Sequence, residues 1–258
     1  MPKFFVVSDV HGFYFEMLDA LENAGFDPNN ENHWLISCGD NFDRGPCPED
    51  VMTYLKLLPR KILVSGNHED LLMECINRGY ALSHDQSNGT MQTIIDLAPN
   101  AYPFHVACAV AEERVKDFLD SMVNYFETKN YIFVHSWVPL NCDDDLLPYY
   151  VINRKFSKME DWREANDVQW EDARWGNPFI LAEQGLLPDK TLVFGHWHCS
   201  EGWAIAENRS NFGDDAKFEP FHGDGFIAID SCVAHSGKVN CLVIEDEFLE
   251  DDMNCDMN

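Results

Sequence analysis

Five short apolar runs divide the chain, and each ends at a polar residue of a type that binds metal ions. The runs and their endings are 4–7 before Asp9, 34–38 before Asp40, 62–64 before Asn67, 131–134 before His135, and 191–194 before His196. Runs that are apolar throughout, rather than alternating, predict strands covered on both faces. Open α/β sheets place their sites at the carboxyl ends of such strands. The pattern therefore predicts an α/β fold with one polar site.

Helical patterns fill the gaps between the predicted strands. Residues 15–24 carry apolar positions on one face, and Pro48 opens a second helix with acids in its first turn. A third helix is predicted over 68–78, with its free N-terminal amides directed towards the site. The clearest three-and-four spacing predicts a helix over 112–127.

The remaining stretches predict additions to one domain spanning 1–258. Apolar runs at 225–230 and 238–244 predict strands that complete the sheet, and Asp230 is interpreted as structural rather than as a site residue. Residues 141–190, which include the acidic run 143–145 and three tryptophans, predict a lid or insert, and residues 201–224 predict a second long loop. Residues 245–258 predict an acidic, frayed tail.

Charge limits the choice of partner. The 258 residues include 45 acids against 18 Lys plus Arg, a formal net charge of −27. Such a surface repels long polyanions, which argues against long nucleic acid and anionic membranes as partners. A small anionic substrate can still bind where metal ions and arginine cluster. With no secretory or membrane-spanning pattern and nine scattered cysteines, a cytoplasmic protein with reduced thiols is expected.

The segment 37–45 places Asp40, Asp43 and Arg44 in a glycine-bounded turn. Turn chemistry alone accounts for this composition equally well. A carboxylate can, however, bind one cation with each oxygen, so Asp40 can bridge two metal ions about 3.5–4 Å apart. The four other polar strand endings decide in favour of a metal site.

A set of nitrogen and oxygen ligands is predicted around two divalent ions: Asp9, His11, Asp40, Asn67, His135, His196 and His198. Asp9 and His11 serve the first metal, to which His198 can return. The set contains no thiolate and suits manganese first, with iron or zinc as alternatives. A water bridging two such ions loses a proton near neutral pH and can attack phosphorus in line with the leaving oxygen.

Three further residues are predicted to act on the substrate. His68, at the start of its helix, is placed to protonate the leaving group, and Asp43 can hold its imidazole in the charged form. Arg44 offers a planar, permanently charged fork to phosphate oxygens.

Four segments, together with His135, resemble the ordered motifs of the calcineurin-like metallophosphoesterases. They are SDVHG at 8–12, GDNFDRG at 39–45, GNHE at 66–69 and GHWH at 195–198. The resemblance is closest to PPP-type serine/threonine protein phosphatases of the bacterial and phage-lambda-like branch, which includes diadenosine tetraphosphatases. It implies a four-layer α-β-β-α sandwich with a dinuclear metal site. It also implies that Arg174 contacts substrate phosphate, with cation–π packing between tryptophans as the alternative.

Two departures from the motifs leave the substrate open. Ser65 stands where relatives usually carry an arginine, and Trp197 is bulky where a small residue is common. Segments 84–85 and 88–89 are interpreted as a capped turn rather than a substrate loop.

The leading hypothesis is a hydrolase of phosphate monoesters, with phosphoserine or phosphothreonine in proteins as first substrate class. A dinucleoside polyphosphate hydrolase, or another small-nucleotide phosphoesterase, is the alternative, favoured if the tryptophans at 162, 170 and 175 stack bases. A nuclease is opposed by the acidic surface. A non-catalytic binding scaffold is opposed by the complete ligand set. Oligomeric state is not predicted.

Overall fold

The structure is a computed structural model that describes residues 1–142 and 155–249. Its strands are Lys3–Val7 (β1), His33–Ser37 (β2), Lys61–Leu63 (β3), Phe126–Glu127 (β4), Tyr131–Phe133 (β5), Leu140–Cys142 (β6), Phe156–Lys158 (β7), Thr191–Phe194 (β8), Phe221–Gly223 (β9), Phe226–Ala228 (β10) and Leu242–Glu245 (β11). Its helices are Tyr14–Ala24 (α1), Pro48–Leu57 (α2), Asn67–Arg78 (α3), Ser83–Asn88 (α4), Thr90–Leu97 (α5), Phe104–Leu119 (α6), Asp167–Ala173 (α7), Pro178–Glu183 (α8), Cys199–Glu207 (α9) and Val233–Ser236 (α10).

Two main sheets carry the fold, where the apolar runs predicted one. The first has the order β11-β1-β2-β3, with β1, β2 and β3 parallel and β11 antiparallel to β1. The second has the order β4-β5-β8-β10-β9, with β5, β8 and β10 parallel and the two edge strands antiparallel. Apolar runs look alike in either sheet, so their pattern does not assign strands to separate sheets.

The two sheets pack face to face and are covered by helices on their outer faces. Phe4, Val6 and Ile36 of the first sheet form one buried cluster with Phe133 and Val193 of the second. Separate clusters lie beneath the helices on either side. This arrangement confirms the four-layer α-β-β-α sandwich, and it explains why the strands are apolar on both faces.

The helix predicted over 112–127 was wrong in its boundaries. Helix α6 spans Phe104–Leu119, and its apolar face starts earlier, with small buried residues such as Ala107 and Ala111. After Leu119 the chain turns, and Val123 forms an isolated parallel bridge with Val64. The apolar residues that continued the helical spacing therefore belong to the approach to β4.

The predicted insert is partly described. Its described part contains β6, β7, α7, α8 and a short 3-10 turn at Trp162–Glu164, whereas the acidic run 143–145 lies outside the described residues. Most of the predicted acidic tail lies outside them as well. The domain division stays a prediction.

Three smaller features complete the fold. The predicted turn at 84–85 and 88–89 is the helix α4 followed by Gly89. The described cysteines form no disulfide bond with one another. Within the described ranges, no helix is both long and apolar enough to cross a bilayer.

Candidate metal centre

The loops after five strands meet at one edge of the sandwich, and several of them are held in an uncommon backbone conformation. Asp9, His11, Asp40 and His196 have φ values of 51°, 49°, 56° and 62°. A left-handed conformation costs a non-glycine residue on the order of 1–3 kcal/mol, and it persists where the surrounding structure fixes it. Four of the seven predicted ligands are therefore held in this conformation, as are Asp43 and Arg44.

Asp40 stands between two groups of side chains with metal-ligand spacing. One group joins it to His11 and His68, and the other joins it to His135 and His196. Its Oδ2 lies 3.7 Å from His11 Nε2, and its Oδ1 lies 3.5 Å from His135 Nε2. Burial by itself raises the pKa of Asp40, but the surrounding histidines outweigh burial and hold the pKa well below its usual range. Each oxygen of an ionised carboxylate thus faces a different group.

Two histidines of the centre are held by backbone carbonyls. The Nδ1 of His11 lies 2.8 Å from the Phe42 carbonyl oxygen, and the Nδ1 of His135 lies 2.8 Å from that of Cys38. Burial lowers the pKa of both imidazoles, which favours their neutral form. A neutral ring that donates through Nδ1 carries a lone pair on Nε2, and that lone pair faces Asp40.

One ring nitrogen of the centre has no hydrogen-bond partner, and three other polar atoms lie close together. His11 Nε2 is buried and has no hydrogen-bond partner among the described residues. Asn67 Oδ1 lies 2.8 Å from His135 Nε2 and 3.0 Å from His196 Nδ1. Burial lowers the pKa of His196 to about 3. Neutral nitrogen and amide oxygen at this spacing form a donor set that suits a divalent cation.

Asp9 joins the two sheets at the centre. Its Oδ2 accepts hydrogen bonds from Ser8 Oγ at 2.6 Å and from the His196 backbone N–H at 2.9 Å, and its Oδ1 lies 4.0 Å from His11 Nε2. Any side chain at Gly195 would overlap Ser8 Oγ and Asp9 Oδ2, so glycine is required for this approach.

Asp230 adds a further buried acid behind Asp9. Burial raises the pKa of Asp9 well above its usual range, and the nearby Asp230 and Asp40 carboxylates raise it further. Burial also raises the pKa of Asp230 to about 6. Its Oδ1 accepts a hydrogen bond from the Cys232 backbone N–H at 2.6 Å, and the structural role of Asp230 stays a prediction. The clustered acids fit a site that a cation completes.

His198 lies outside both groups around Asp40. Its ring packs at 4.7 Å from that of Phe212 and at 6.2 Å from that of Trp197. Its buried Nδ1 has no hydrogen-bond partner within the part of the chain that the structure describes. The role of His198 at the first metal stays a prediction.

His68 lies on the same side of Asp40 as His11 but has different partners: its Nε2 lies 3.9 Å from Asp40 Oδ2, and its ring lies 4.7 Å from that of His11. Its Nδ1 lies 2.7 Å from Asp43 Oδ2, and its Nε2 lies 3.2 Å from the exposed Arg44 guanidinium. Burial and Arg44 lower the pKa of His68, but Asp40 and Asp43 raise it more, so that the net shift is upward. The imidazolium form is therefore favoured relative to an ordinary histidine.

Glu69 is a site residue whose role the sequence reasoning missed. Its Oε2 accepts from the backbone N–H groups of Asp40 at 2.9 Å and Gly66 at 2.8 Å, and its Oε1 accepts from Asn41 N–H at 2.8 Å. Burial raises its pKa to about 7. The carboxylate joins the loop after β2 to the start of α3. An acid three residues after the N-cap, which is Gly66 here, is part of a capping signature that could have indicated this role.

Arg174 is paired with two other side chains of the protein. Its Nη1 lies 2.7 Å from both carboxylate oxygens of Asp70, and its Nη2 lies 2.5 Å from Asn124 Oδ1. Only 8% of the residue is exposed. Phosphate contact by Arg174 stays a prediction, and it would require competition with Asp70.

The three tryptophans considered for base stacking lie in different environments. Trp162 and Trp170 are buried in the cluster beneath the helices of the second sheet. Trp175 is half-buried, and its ring lies 6.1 Å from that of His196. Of the three tryptophans, the structure brings Trp175 to the centre.

Comparison with known families identifies the class of protein. The calcineurin-like phosphoesterase family matches residues 2–200, and the chain belongs to that family. Members of this family use a dinuclear metal site, and the groups of His and Asp around Asp40 can hold metal ions.

Curated relatives match shorter parts of the chain. The symmetrical bis(5'-nucleosyl)-tetraphosphatase of Klebsiella pneumoniae (strain 342) is 34% identical over 98 residues, which are 38% of this chain and 33% of the relative. The protein of the same name from Salmonella typhimurium is 39% identical over 66 residues, 25% of this chain and 23% of the relative. The matches span about a third of these relatives or less.

Solved structures support the fold. A crystal structure described as a candidate diadenosine tetraphosphatase has a TM-score of 0.51 and 18% identity, covering 97% of each chain. The cold-active protein-tyrosine phosphatase of a psychrophilic Shewanella species has a TM-score of 0.52 and 15% identity, covering 95% of this chain and 76% of that one. At these identities the likeness shows the fold alone.

Proposed function

We propose that this protein is a phosphoesterase that depends on two divalent metal ions, with Asp40 between them. The observation that carries the proposal is that the two Asp40 oxygens face different groups of nitrogen and oxygen ligands. The first metal is assigned to Asp9 and His11, and His198, although it lies outside both groups, is proposed as a further ligand of that metal. Asn67, His135 and His196 complete the second group: that assignment matches their mutual spacing. Manganese is the first candidate, and iron or zinc suits the same ligands.

Bound metals would supply an activated water and neutralise charge on the phosphate oxygens. Side chains of this protein perform the other steps. Arg44 binds phosphate oxygens through its exposed guanidinium. His68 donates the Nε2 proton to the leaving oxygen, while Asp43 holds Nδ1–H and keeps the ring in one orientation.

Phosphate monoesters, in phosphorylated proteins or small molecules, are the first substrate class proposed. Arg44 is exposed beside His68, whereas Arg174 is paired with Asp70 and Ser65 supplies no charge. A phosphate held by few protein cations relies more on the metals. This arrangement suits a single terminal phosphate placed directly over the centre.

Symmetrical dinucleoside tetraphosphates are the second candidate. The curated relatives carry that activity in their names. Aromatic rings that can stack on a base also lie beside the centre: Trp175 lies near His196, and Phe212, which is 48% exposed, packs on His198.

A four-substrate panel tests the proposal. Protein loaded with manganese is assayed on p-nitrophenyl phosphate, bis-p-nitrophenyl phosphate, a phosphoserine peptide and diadenosine tetraphosphate. Turnover of at least one substrate, lost when the metals are chelated and restored by adding them back, is expected. The relative kcat/KM values choose between the two substrate classes. Absence of turnover on all four substrates would refute the enzyme proposal.

A further inference from the structure

We propose that Thr90 and Thr93 are positioning residues for the acid: they fix the Asp43 carboxylate so that the His68 ring presents Nε2 to the leaving oxygen. The inference rests on the proposed function, in which His68 is the proton donor. It assigns a catalytic contribution to α5, an element that carries none of the proposed metal ligands.

The hydrogen bonds form a continuous buried chain. Thr90 Oγ donates to Asp43 Oδ2 at 2.6 Å, and the same oxygen lies 2.7 Å from His68 Nδ1. Thr93 Oγ donates to Asp43 Oδ1 at 2.8 Å. The threonines are 0% and 2% exposed, and Asp43 is 0% exposed. Water is therefore kept from the carboxylate, and the two hydroxyls take its place.

The direction of each hydrogen bond follows from the donors available. A threonine hydroxyl has one proton. Thr93 Oγ already accepts the Asp43 backbone N–H at 3.1 Å, so its proton is free for Asp43 Oδ1. Asp43 accepts at both oxygens, which prevents rotation of the carboxylate about its bond to Cβ. A fixed carboxylate fixes the ring that donates to it.

The segment that carries the threonines also seats Arg44. Gly89 precedes α5 with a φ of +95°, and a side chain there would overlap the Arg44 backbone nitrogen. Farther back, Asp85 of α4 pairs with Arg78 of α3 at 2.5 Å. The α4–α5 segment thus supports the proton donor and the phosphate-binding arginine from the side away from the metal ligands. Changes in it should alter proton delivery without altering metal content.

Leaving-group dependence separates this role from a merely structural one. A phenolate needs a proton to leave more than a p-nitrophenolate does, because the nitro group stabilises the anion. For Thr90→Val we expect kcat on phenyl phosphate to fall about tenfold while kcat on p-nitrophenyl phosphate changes less than about twofold, as expected for partial loss of general-acid catalysis. Thr90→Ser, which keeps the hydroxyl, should restore most of the rate. KM and metal content should be unchanged, and Thr93→Val should give the same pattern.

The matched control is Thr128→Val, which removes a buried hydroxyl from the turn between β4 and β5. It should lower thermal stability without a leaving-group effect. If Thr90→Val does not fold, Thr93→Val and Thr93→Ser carry the comparison. Equal losses on both substrates, equal rates in the valine and serine variants, or wild-type rates throughout would overturn the inference while leaving the phosphoesterase intact. Absence of turnover by the wild type refutes the proposed function itself.

Discussion

The three buried histidines around Asp40 differ in the group that holds their Nδ1. His11 and His135 donate to backbone carbonyls, whereas His68 faces the Asp43 carboxylate. All three are at most 3% exposed. The pKa shifts nevertheless have opposite directions: burial lowers those of His11 and His135, and the carboxylates near His68 overcome burial and raise its pKa.

We interpret the partner of Nδ1 as what distinguishes these histidines, since burial and the Asp40 charge act on all three rings. A ring held by a carbonyl is neutral and offers a lone pair, which suits a metal ligand. A ring held by a carboxylate is favoured as a cation and offers a proton. Substitutions in the metal ligands and around the proton donor can test this contrast.

The largest effect is expected at Asp40, because both groups depend on it. In Asp40→Asn, the loss of the charge between the groups should remove both metals and reduce turnover to the blank. Metal content by elemental analysis and activity on the panel check this. Asp117→Asn, an exposed change on α6, is the control. Two metals retained in Asp40→Asn would contradict the bridging position.

The second largest effect is expected at His68. His68→Asn should retain both metals but lower kcat by roughly 10²–10⁴, since it removes the proton donor. Metal content and single-turnover rates are measured on the same preparation. His105→Asn changes an exposed histidine and should behave as wild type. Loss of metal from His68→Asn would instead place His68 among the ligands.

A smaller effect, visible mainly in the pH profile, is expected at Asp43. A general acid must be protonated, so the rate falls as pH rises through its pKa. Asp43 raises the pKa of His68, so Asp43→Asn should move the basic limb of kcat to lower pH. The profile is measured on phenyl phosphate, with Asp117→Asn as the matched carboxylate change. If the basic limb of the kcat profile does not move, Asp43 does not set the pKa of the proton donor.

The smallest effect is expected at Glu69, which accepts hydrogen bonds from three backbone N–H groups and from the Asn41 side-chain amide. Glu69→Gln places an amide N–H₂ against N–H donors, and we expect metal affinity to fall about tenfold, as for other residues that orient ligands. Calorimetric titration with manganese measures it. Glu113→Gln, exposed on α6, should leave the affinity unchanged. If Glu69→Gln binds manganese with wild-type affinity, Glu69 contributes only to the stability of the fold.

Much of the architecture was predictable because apolar runs and short motifs are local signals. The strand endings at Asp9, Asp40 and Asn67 needed only the run and the residue that stops it. The end of α6 was not predictable in this way, because Val123 leaves the helical pattern to bridge Val64. That contact is long-range, and the spacing of apolar residues does not contain it.

The candidate site, too, was predictable only in part. Metal-type residues and the pair of His68 with Asp43 were predicted from motifs, and the structure brings most of them together. Thr90 and Thr93 were missed, since nothing about a threonine in a helix indicates which carboxylate it faces. Arg174 was predicted to contact phosphate, but its partner Asp70 became visible only in three dimensions.

The position of β11 bears on when the sheet that supports the centre is completed. β1 lies between β2 and β11, with Lys3 paired to Glu245. During synthesis from the amino end, the strand leading to Asp9 has one open edge until β11 has emerged. Pairings this distant in sequence form late. The chain therefore completes the sheet beneath Asp9 only after β11 has been synthesised.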